Sequence, residues 1–229
     1  AACACGRRAD PRQAWRDTLT QVSTYEALKA GHYEGQCAVS NLALYGDTGL
    51  GTYEGLDGEM VVMDGRFYQV SVEGTVREAD PAQRVPFADL TWFEPDLVFD
   101  VGAMNQDIFQ NTMRWKRPDA GHACALRVSG AFASLKVRSV PAQVAPYPPL
   151  ESVVASHQKV YVLTNVQATL VGFLVPDASG PLVPPGFHLH ALTADRSAGG
   201  HVLDFSLAGG RVEVDQTPEL HVHLPALGP

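Results

Sequence analysis

The chain has 229 residues, with 17 Lys and Arg against 25 Asp and Glu and a formal net charge of -8. This length is enough to bury a hydrophobic core without help from a metal, in one large β-rich domain or two smaller ones. The negative charge argues against a nucleic-acid or anionic-membrane surface, and the absence of a run of about 18 apolar residues predicts no membrane span.

The four cysteines, Cys3, Cys5, Cys37 and Cys124, form neither a C-x-x-C pair nor a zinc-finger spacing. We therefore expect them to be incidental to the chemistry. The chain begins AACACGRR, and Cys3 after two alanines would suit a processed exported protein. A cytoplasmic protein fits the same sequence, so the compartment stays open.

The first half of the chain is predicted to form short helices followed by an antiparallel meander. Asp10-Pro11 is typical of a helix start and Gly31 of a helix end, with a strand between two short helices as one option. From Gly49 onward, short β-type runs alternate with Asp-Gly and Glu-Gly turns, in GLGTYEG, GEMVVMDG, RFYQVSVEG and TVREA. The strand FADLTWFEP and one helix in GAMNQDIFQNTMRWKR follow.

The second half is predicted to consist mainly of strands. Strands around Gly130 in ACALRVSGAFASLKVRSV precede the proline-rich connector PAQVAPYPPL and a helical turn near LESVVASHQ. Six more strands are predicted, in KVYVLTN, ATLVGFLVP, GFHLHAL, GHVLDFSLAGG, RVEVDQ and ELHVHLP. The predicted fold class is α+β, dominated by β structure, with a barrel-like second half.

Three histidines form the pattern H-x-H-x10-H in PGFHLHALTADRSAGGHVLDF. On a strand, His188 and His190 point to the same face about 7 Å apart, because side chains alternate and each residue rises about 3.3 Å. Two such imidazoles can converge on one ion, and His201 is the natural third ligand. A single histidine near a strand end is usually a surface or hydrogen-bonded residue, so the hypothesis of a metal site depends on all three.

A second pair, His221 and His223 in ELHVHLP, has the same strand geometry and is the alternative ligand pair, with surface histidines as the simpler interpretation. Glu59 opens the apolar strand EMVVMDG and could act as a general acid or base at the rim of a cleft, although taken alone a solvated glutamate is the simpler interpretation. Arg138 lies in the apolar strand SLKVRSVP and could clamp a carboxylate, or be an ordinary surface arginine.

Seven segments occur in a fixed order across about residues 20–207. They are GHYEGQ, YGDTGLGTYEGLDGEMVVMDG, RFYQVSVEG, PFADLTWF, LRVSGAFASLKVRSVPAQVAPYPPL, ATLVGFLVP and PGFHLHALTADRSAGGHVLDF. Taken in this order, they closely resemble the α-acetolactate decarboxylase family. The resemblance implies a mixed or antiparallel sheet domain, over residues 1–145, and a smaller barrel-like domain over residues 146–229. It also implies a metal site in the cleft between the two domains and a homodimer joined through the first domain's sheet.

The resemblance also assigns functional residues. It implies that the family's three zinc ligands fall on His188, His190 and His201. The active-site glutamate and arginine of the family fall on Glu59 and Arg138, and Thr52 in GTYEG matches a threonine that lines the substrate site.

The implied reaction is decarboxylation of (2S)-2-hydroxy-2-methyl-3-oxobutanoate to (R)-acetoin and CO2. Three neutral histidines leave coordination positions open, so the hydroxyl and ketone oxygens of this 2-hydroxy-3-oxo acid could chelate Zn2+, which would stabilise an enediolate. Arg138 would orient the departing carboxylate, and Glu59 would protonate one face of the intermediate.

Family members generally continue beyond the last strand with a tail that contributes a second glutamate near the zinc, and no residue here aligns with it. Glu219 lies too early in the pattern to take that role. This departure favours a second hypothesis, a non-catalytic metal-binding or ligand-carrier homologue. A third hypothesis is a cupin-like iron oxygenase, which also places H-x-H on a β-barrel. The oxygenase usually adds a nearby carboxylate ligand, whereas Asp195 falls in a predicted turn.

Overall fold

The computed structural model describes residues 11–177 and 182–226, so the expectation about Cys3 lies outside the described residues. None of the described helices is both long and apolar enough to cross a membrane. A 3-10 turn spans Glu54–Leu56, and the α-helices are α1 (Pro11–Ala14), α2 (Tyr25–Lys29), α3 (Val39–Leu42), α4 (Gln106–Lys116) and α5 (Leu150–His157).

Strands dominate the described part of the chain. They are β1 (Thr18–Val22), β2 (Cys37–Ala38), β3 (Thr48–Thr52), β4 (Glu59–Met63), β5 (Arg66–Val70), β6 (Val76–Glu78), β7 (Arg84–Val85), β8 (Phe87–Thr91), β9 (Leu97–Val101), β10 (Met104–Asn105), β11 (Ala123–Ser139), β12 (Lys159–Val175), β13 (Gly186–Thr193), β14 (Gly199–Thr217) and β15 (Glu219–His223).

The first sheet has seven strands in the order β15-β1-β8-β3-β4-β5-β6. The predicted meander is its β3–β6 part, where successive strands pair antiparallel. Asp64 and Gly65 both have positive φ, 52° and 75°, which is the backbone of the two-residue hairpin turn that Asp-Gly favours. The sheet also takes β15 from the far end of the chain, paired parallel to β1.

The second sheet contains β9 to β14, and β11, β12 and β14 are strands of 17, 17 and 19 residues. The sequence pattern predicts breaks in these strands at Gly130 and near Asn165 and Gly210, whereas each strand runs through these positions. At Gly130 a Cβ would lie 2.4 Å from the Gly209 carbonyl oxygen. The glycine therefore permits close approach of two strands and does not end one.

Pairing in the second sheet closes on itself, because β11 pairs with β12, β12 with β13, β13 with β14, and β14 again with β11. Its strands come from both sides of residue 145, since β9, β10 and β11 precede that position. A division into 1–145 and 146–229 therefore does not separate the two sheets, and the domain boundary stays a prediction.

The first sheet packs against the second through one face and carries a separate core on the other. Between the sheets, Val61 and Met63 pack with Val171 and Leu192. The opposite face of the first sheet packs against α3 and the β2–β7 segment, and its cluster includes Val22, Met60, Val62 and Leu90. This arrangement brings the start of β4 next to β13 and β14, which places the candidate site between the sheets.

Candidate functional site

Three histidines from two adjacent strands of the second sheet face one point. His188 and His190 are two residues apart on β13, so their side chains share one face of the strand. His190 pairs in register with His201 on β14. The three ring centroids lie 5.2 Å from one another in every pair. The convergence predicted from H-x-H-x10-H is therefore present.

The spacing of the ring nitrogens fits one metal ion. His190 Nε2 lies 3.2 Å from His201 Nδ1, and two nitrogens about 2.05 Å from a tetrahedral ion are about 3.3 Å apart. One ligand atom from each histidine lies within 4.8 Å of the others, and His188 Nδ1 is buried without a hydrogen-bond partner among the described residues. The group could hold a metal ion.

The histidines are in the neutral form that metal ligation needs. Burial lowers the pKa of His188 to about 4, with a smaller contribution from the positive charge of Arg138. Burial also lowers the pKa of His190 and of His201 well below the ordinary value, assisted by the neighbouring imidazoles.

A backbone carbonyl fixes the tautomer of His190. Nδ1 lies 2.6 Å from the carbonyl oxygen of Met60 on β4, and a carbonyl can only accept, so Nδ1 carries the proton and donates. The lone pair is then at Nε2, which faces His201. Support of a ligating histidine by a second hydrogen bond is usual in metal sites.

Glu59, the first residue of β4, brings a buried carboxyl group to the histidines. Its side-chain Oε2 lies 3.5 Å from His190 Nε2. Burial raises its pKa to about 7, and the charge of Arg138 acts in the opposite direction. The carboxyl group can therefore hold a proton near neutral pH, as a general acid must.

The turn before Glu59 is fixed by a hydrogen bond from Thr52 and by close packing of Gly58 against β5. Thr52 Oγ1 donates to the Gly58 carbonyl oxygen at 2.7 Å. Gly58 has a φ of +76°, and a Cβ there would lie 2.3 Å from the Val70 carbonyl oxygen, so only glycine fits. Thr52 lines the cavity, and its hydroxyl proton is used to fix the turn that aims Glu59.

Arg138 lies on β11, in register with His201 on β14. Its Nε is buried and has no hydrogen-bond partner within residues 11–177 and 182–226. A guanidinium group with an unused donor can bind a carboxylate through its planar fork.

One cavity of about 280 Å³ is lined by the six residues that the family resemblance assigns to the site, which are Thr52, Glu59, Arg138, His188, His190 and His201. Its other wall is apolar and was not predicted; it includes Tyr25, Leu28, Phe87, Leu150, Val154 and Phe187. Apolar positions in LESVVASHQ indicate a buried helix face, but no sequence signal identifies that face as a cavity wall.

The alternative pair, His221 and His223, is not brought to this cavity. It lies on β15, the edge strand of the first sheet, where Trp15 stacks on His221. The geometry therefore does not support this pair as an alternative to His188 and His190 in the cavity.

The chain matches the family model described as alpha-acetolactate decarboxylase over residues 19–228. An alpha-acetolactate decarboxylase of Methanosarcina mazei is 40% identical over 93% of this chain and 74% of that protein. One from Bacillus subtilis is 34% identical over 90% of this chain and 81% of that protein. The crystal structure of a Bacillus subtilis alpha-acetolactate decarboxylase aligns with a TM-score of 0.89 and 33% identity, over 92% of this chain and 90% of that one.

These matches span most of the chain and of each relative, and they support a decarboxylase with a β-dominated fold of several sheets. The chain belongs to the α-acetolactate decarboxylase family.

Proposed function

We propose that the chain is a Zn2+-dependent enzyme that converts (2S)-2-hydroxy-2-methyl-3-oxobutanoate to (R)-acetoin and CO2. The observation that carries this proposal is the meeting of three neutral imidazoles, a buried carboxyl group and a guanidinium group in one cavity of a family member. The substrate would be a small 2-hydroxy-3-oxo acid.

His188, His190 and His201 would hold the ion, and their nitrogen spacing and neutral state fit zinc. Bound Zn2+ would supply Lewis-acid stabilisation of negative charge that develops on the substrate oxygens. Three protein ligands leave positions for those oxygens, as in other catalytic zinc sites.

Arg138 would bind and orient the substrate carboxylate. Its guanidinium lies on the cavity wall with a free buried donor, and a bidentate pair with a carboxylate fixes direction as well as charge. Alignment of the bond that breaks is the expected consequence.

Glu59 would supply the proton that replaces the lost carboxyl group. When the carbon–carbon bond breaks, its electron pair stays on the substrate, and a proton from Glu59 forms the new C–H bond. Because Glu59 approaches from the first sheet alone, delivery to one face would set the handedness of the product. The apolar wall would hold the two methyl groups and exclude water.

The test is to add racemic acetolactate to the purified protein and to follow acetoin by its colour reaction, with and without a zinc chelator. We expect acetoin in the zinc-loaded protein, loss on chelation and recovery when Zn2+ is restored. Metal binding without acetoin would identify a non-catalytic homologue. Oxygen uptake with a different product would identify an oxygenase.

We further propose a homodimer joined through the first sheet, as the resemblance implies. Light scattering coupled to size-exclusion chromatography would give twice the chain mass of 24.6 kDa if this is correct.

A further inference from the structure

The second H-x-H pair, His221 and His223, has no part in the cavity site. It lies on β15, which pairs parallel to β1 so that His221 is opposite Thr20 and His223 opposite Val22. Paired residues of adjacent strands share a face, so both imidazoles lie on the face that carries Val22.

That face is turned away from the cavity. Val22 belongs to the core cluster of Met60 and Val62, whereas the face of Glu59 continues through Val61 toward the second sheet. Four strand spacings of about 4.8 Å separate β15 from β4, which is about 19 Å. The pair therefore cannot contribute to the site of His188, His190 and His201.

The two rings are closer together than those of the cavity site. Their centroids lie 4.4 Å apart with a tilt of 60°. A metal ion about 2.05 Å from a ring nitrogen is about 3.2 Å from the ring centroid, so two ligands at a tetrahedral angle have centroids about 5.2 Å apart. Two ligands at 90°, in square-planar or octahedral geometry, have centroids about 4.5 Å apart. The centroid distance of 4.4 Å on β15 is close to the second of these values.

Aromatic neighbours hold both rings in this arrangement. Trp15 stacks on His221 at 4.3 Å and 13°, and Tyr45 contacts His223 edge-on at 4.8 Å and 68°. Three atoms on this patch, His221 Nδ1, His223 Nε2 and Thr20 Oγ1, are buried without a hydrogen-bond partner in the described part of the chain. Each imidazole thus retains bonding capacity that no described protein group uses.

We propose that His221 and His223 form a second metal site, for a divalent transition-metal ion that takes two nitrogen ligands at 90°. Cu2+ is the ion expected to bind most tightly, because it favours tetragonal nitrogen sites and stands at the top of the affinity order for divalent metals. Water would complete its coordination. This site does not depend on the decarboxylase activity.

The test uses Trp15 as a built-in reporter and a variant that removes both ligands. Bound Cu2+ per chain and tryptophan fluorescence would be measured during titration of the wild-type protein and of His221→Gln/His223→Gln. We expect the wild type to bind one more Cu2+ per chain than the double variant. The fluorescence of Trp15 should be quenched by this ion in the wild type and not in the variant. Trp15→Phe should keep the ion and lose the quenching, and the exposed His157→Gln is the matched control for a histidine elsewhere.

Equal Cu2+ uptake by the wild type and the double variant would overturn the proposal, as would uptake that leaves Trp15 fluorescence unchanged. If circular dichroism shows that the double variant is not folded, His223→Gln alone keeps the Trp15–His221 stack and should show the same loss of one ion. Acetoin formation should be unchanged in these variants. Because Cu2+ uptake and fluorescence are measured without acetolactate, the test remains valid even if the decarboxylase proposal fails.

Discussion

Two buried carboxyl groups lie on the same face of the first sheet, and only one of them belongs to the candidate site. Glu59 on β4 and Asp89 on β8 both face the second sheet, since Asp89 is in register with Leu50 and Leu50 with Val61. Burial raises the pKa of Glu59 to about 7 and that of Asp89 to about 8. A raised pKa therefore does not distinguish the two.

Their surroundings do distinguish them. Glu59 opens onto the cavity, with His190 at 3.5 Å and the charge of Arg138 acting on it. Asp89 is 1% exposed and does not line this cavity, and its Oδ1 has no partner among the described residues. A carboxyl group with a raised pKa therefore indicates a reactive site only where it faces a cavity and complementary groups.

The largest effect is expected from removing the ligand that β14 supplies. His201→Ala leaves two imidazoles on β13 and should lose both the bound metal and acetoin formation, to the background rate. Metal content by mass spectrometry and the acetoin colour reaction would be measured together. The exposed His122→Ala is the control, and an active, metal-free His201→Ala protein would show that the cavity region does not work through these histidines.

Parallel amide substitutions at Glu59 and Asp89 test whether only the first carboxyl group takes part in the reaction. Glu59→Gln should keep the metal and lose activity by about 100-fold or more, because the proton donor is removed while shape is retained. Asp89→Asn should leave kcat unchanged. Comparable losses in both variants would mean that the distinction between the two carboxyl groups is wrong.

A smaller effect is expected at the cavity's guanidinium group. Arg138→Lys keeps the positive charge but loses the planar fork, so KM should rise by about tenfold with metal content unchanged. Steady-state kinetics would measure it. An unchanged KM would exclude a carboxylate clamp at this position.

Much of the site could be predicted from sequence, because its geometry follows from local rules. Alternation along a strand aligns His188 with His190, and an Asp-Gly turn fixes the start of β5 after β4. The six proposed residues then meet in one cavity. Their roles in catalysis stay predictions until the variants are measured.

Other features depend on pairing between distant segments, which no local pattern reveals. The Met60 carbonyl that orients His190 is a backbone group 130 positions away. β15 joins the first sheet although it is the last of the described strands, so the strand pattern alone, without the family resemblance, does not separate the two H-x-H pairs. Glycine and polar residues predict breaks in the long strands β11, β12 and β14, whereas pairing with neighbouring strands continues through these positions.

The smallest effect, on stability alone, is expected from Asp89→Asn. The folded pKa of Asp89, about 8, exceeds its ordinary value of about 4. Between these pH values the folded protein holds a proton that the unfolded chain has released, so wild-type stability falls as pH rises through this window. Asparagine carries no titrating proton, so the variant should melt a few degrees higher than wild type at pH 7 and show little difference near pH 4. Melting temperatures of both proteins from pH 4 to pH 8 would measure the gap, and a gap that stays constant across this range would show that Asp89 does not take up a proton on folding.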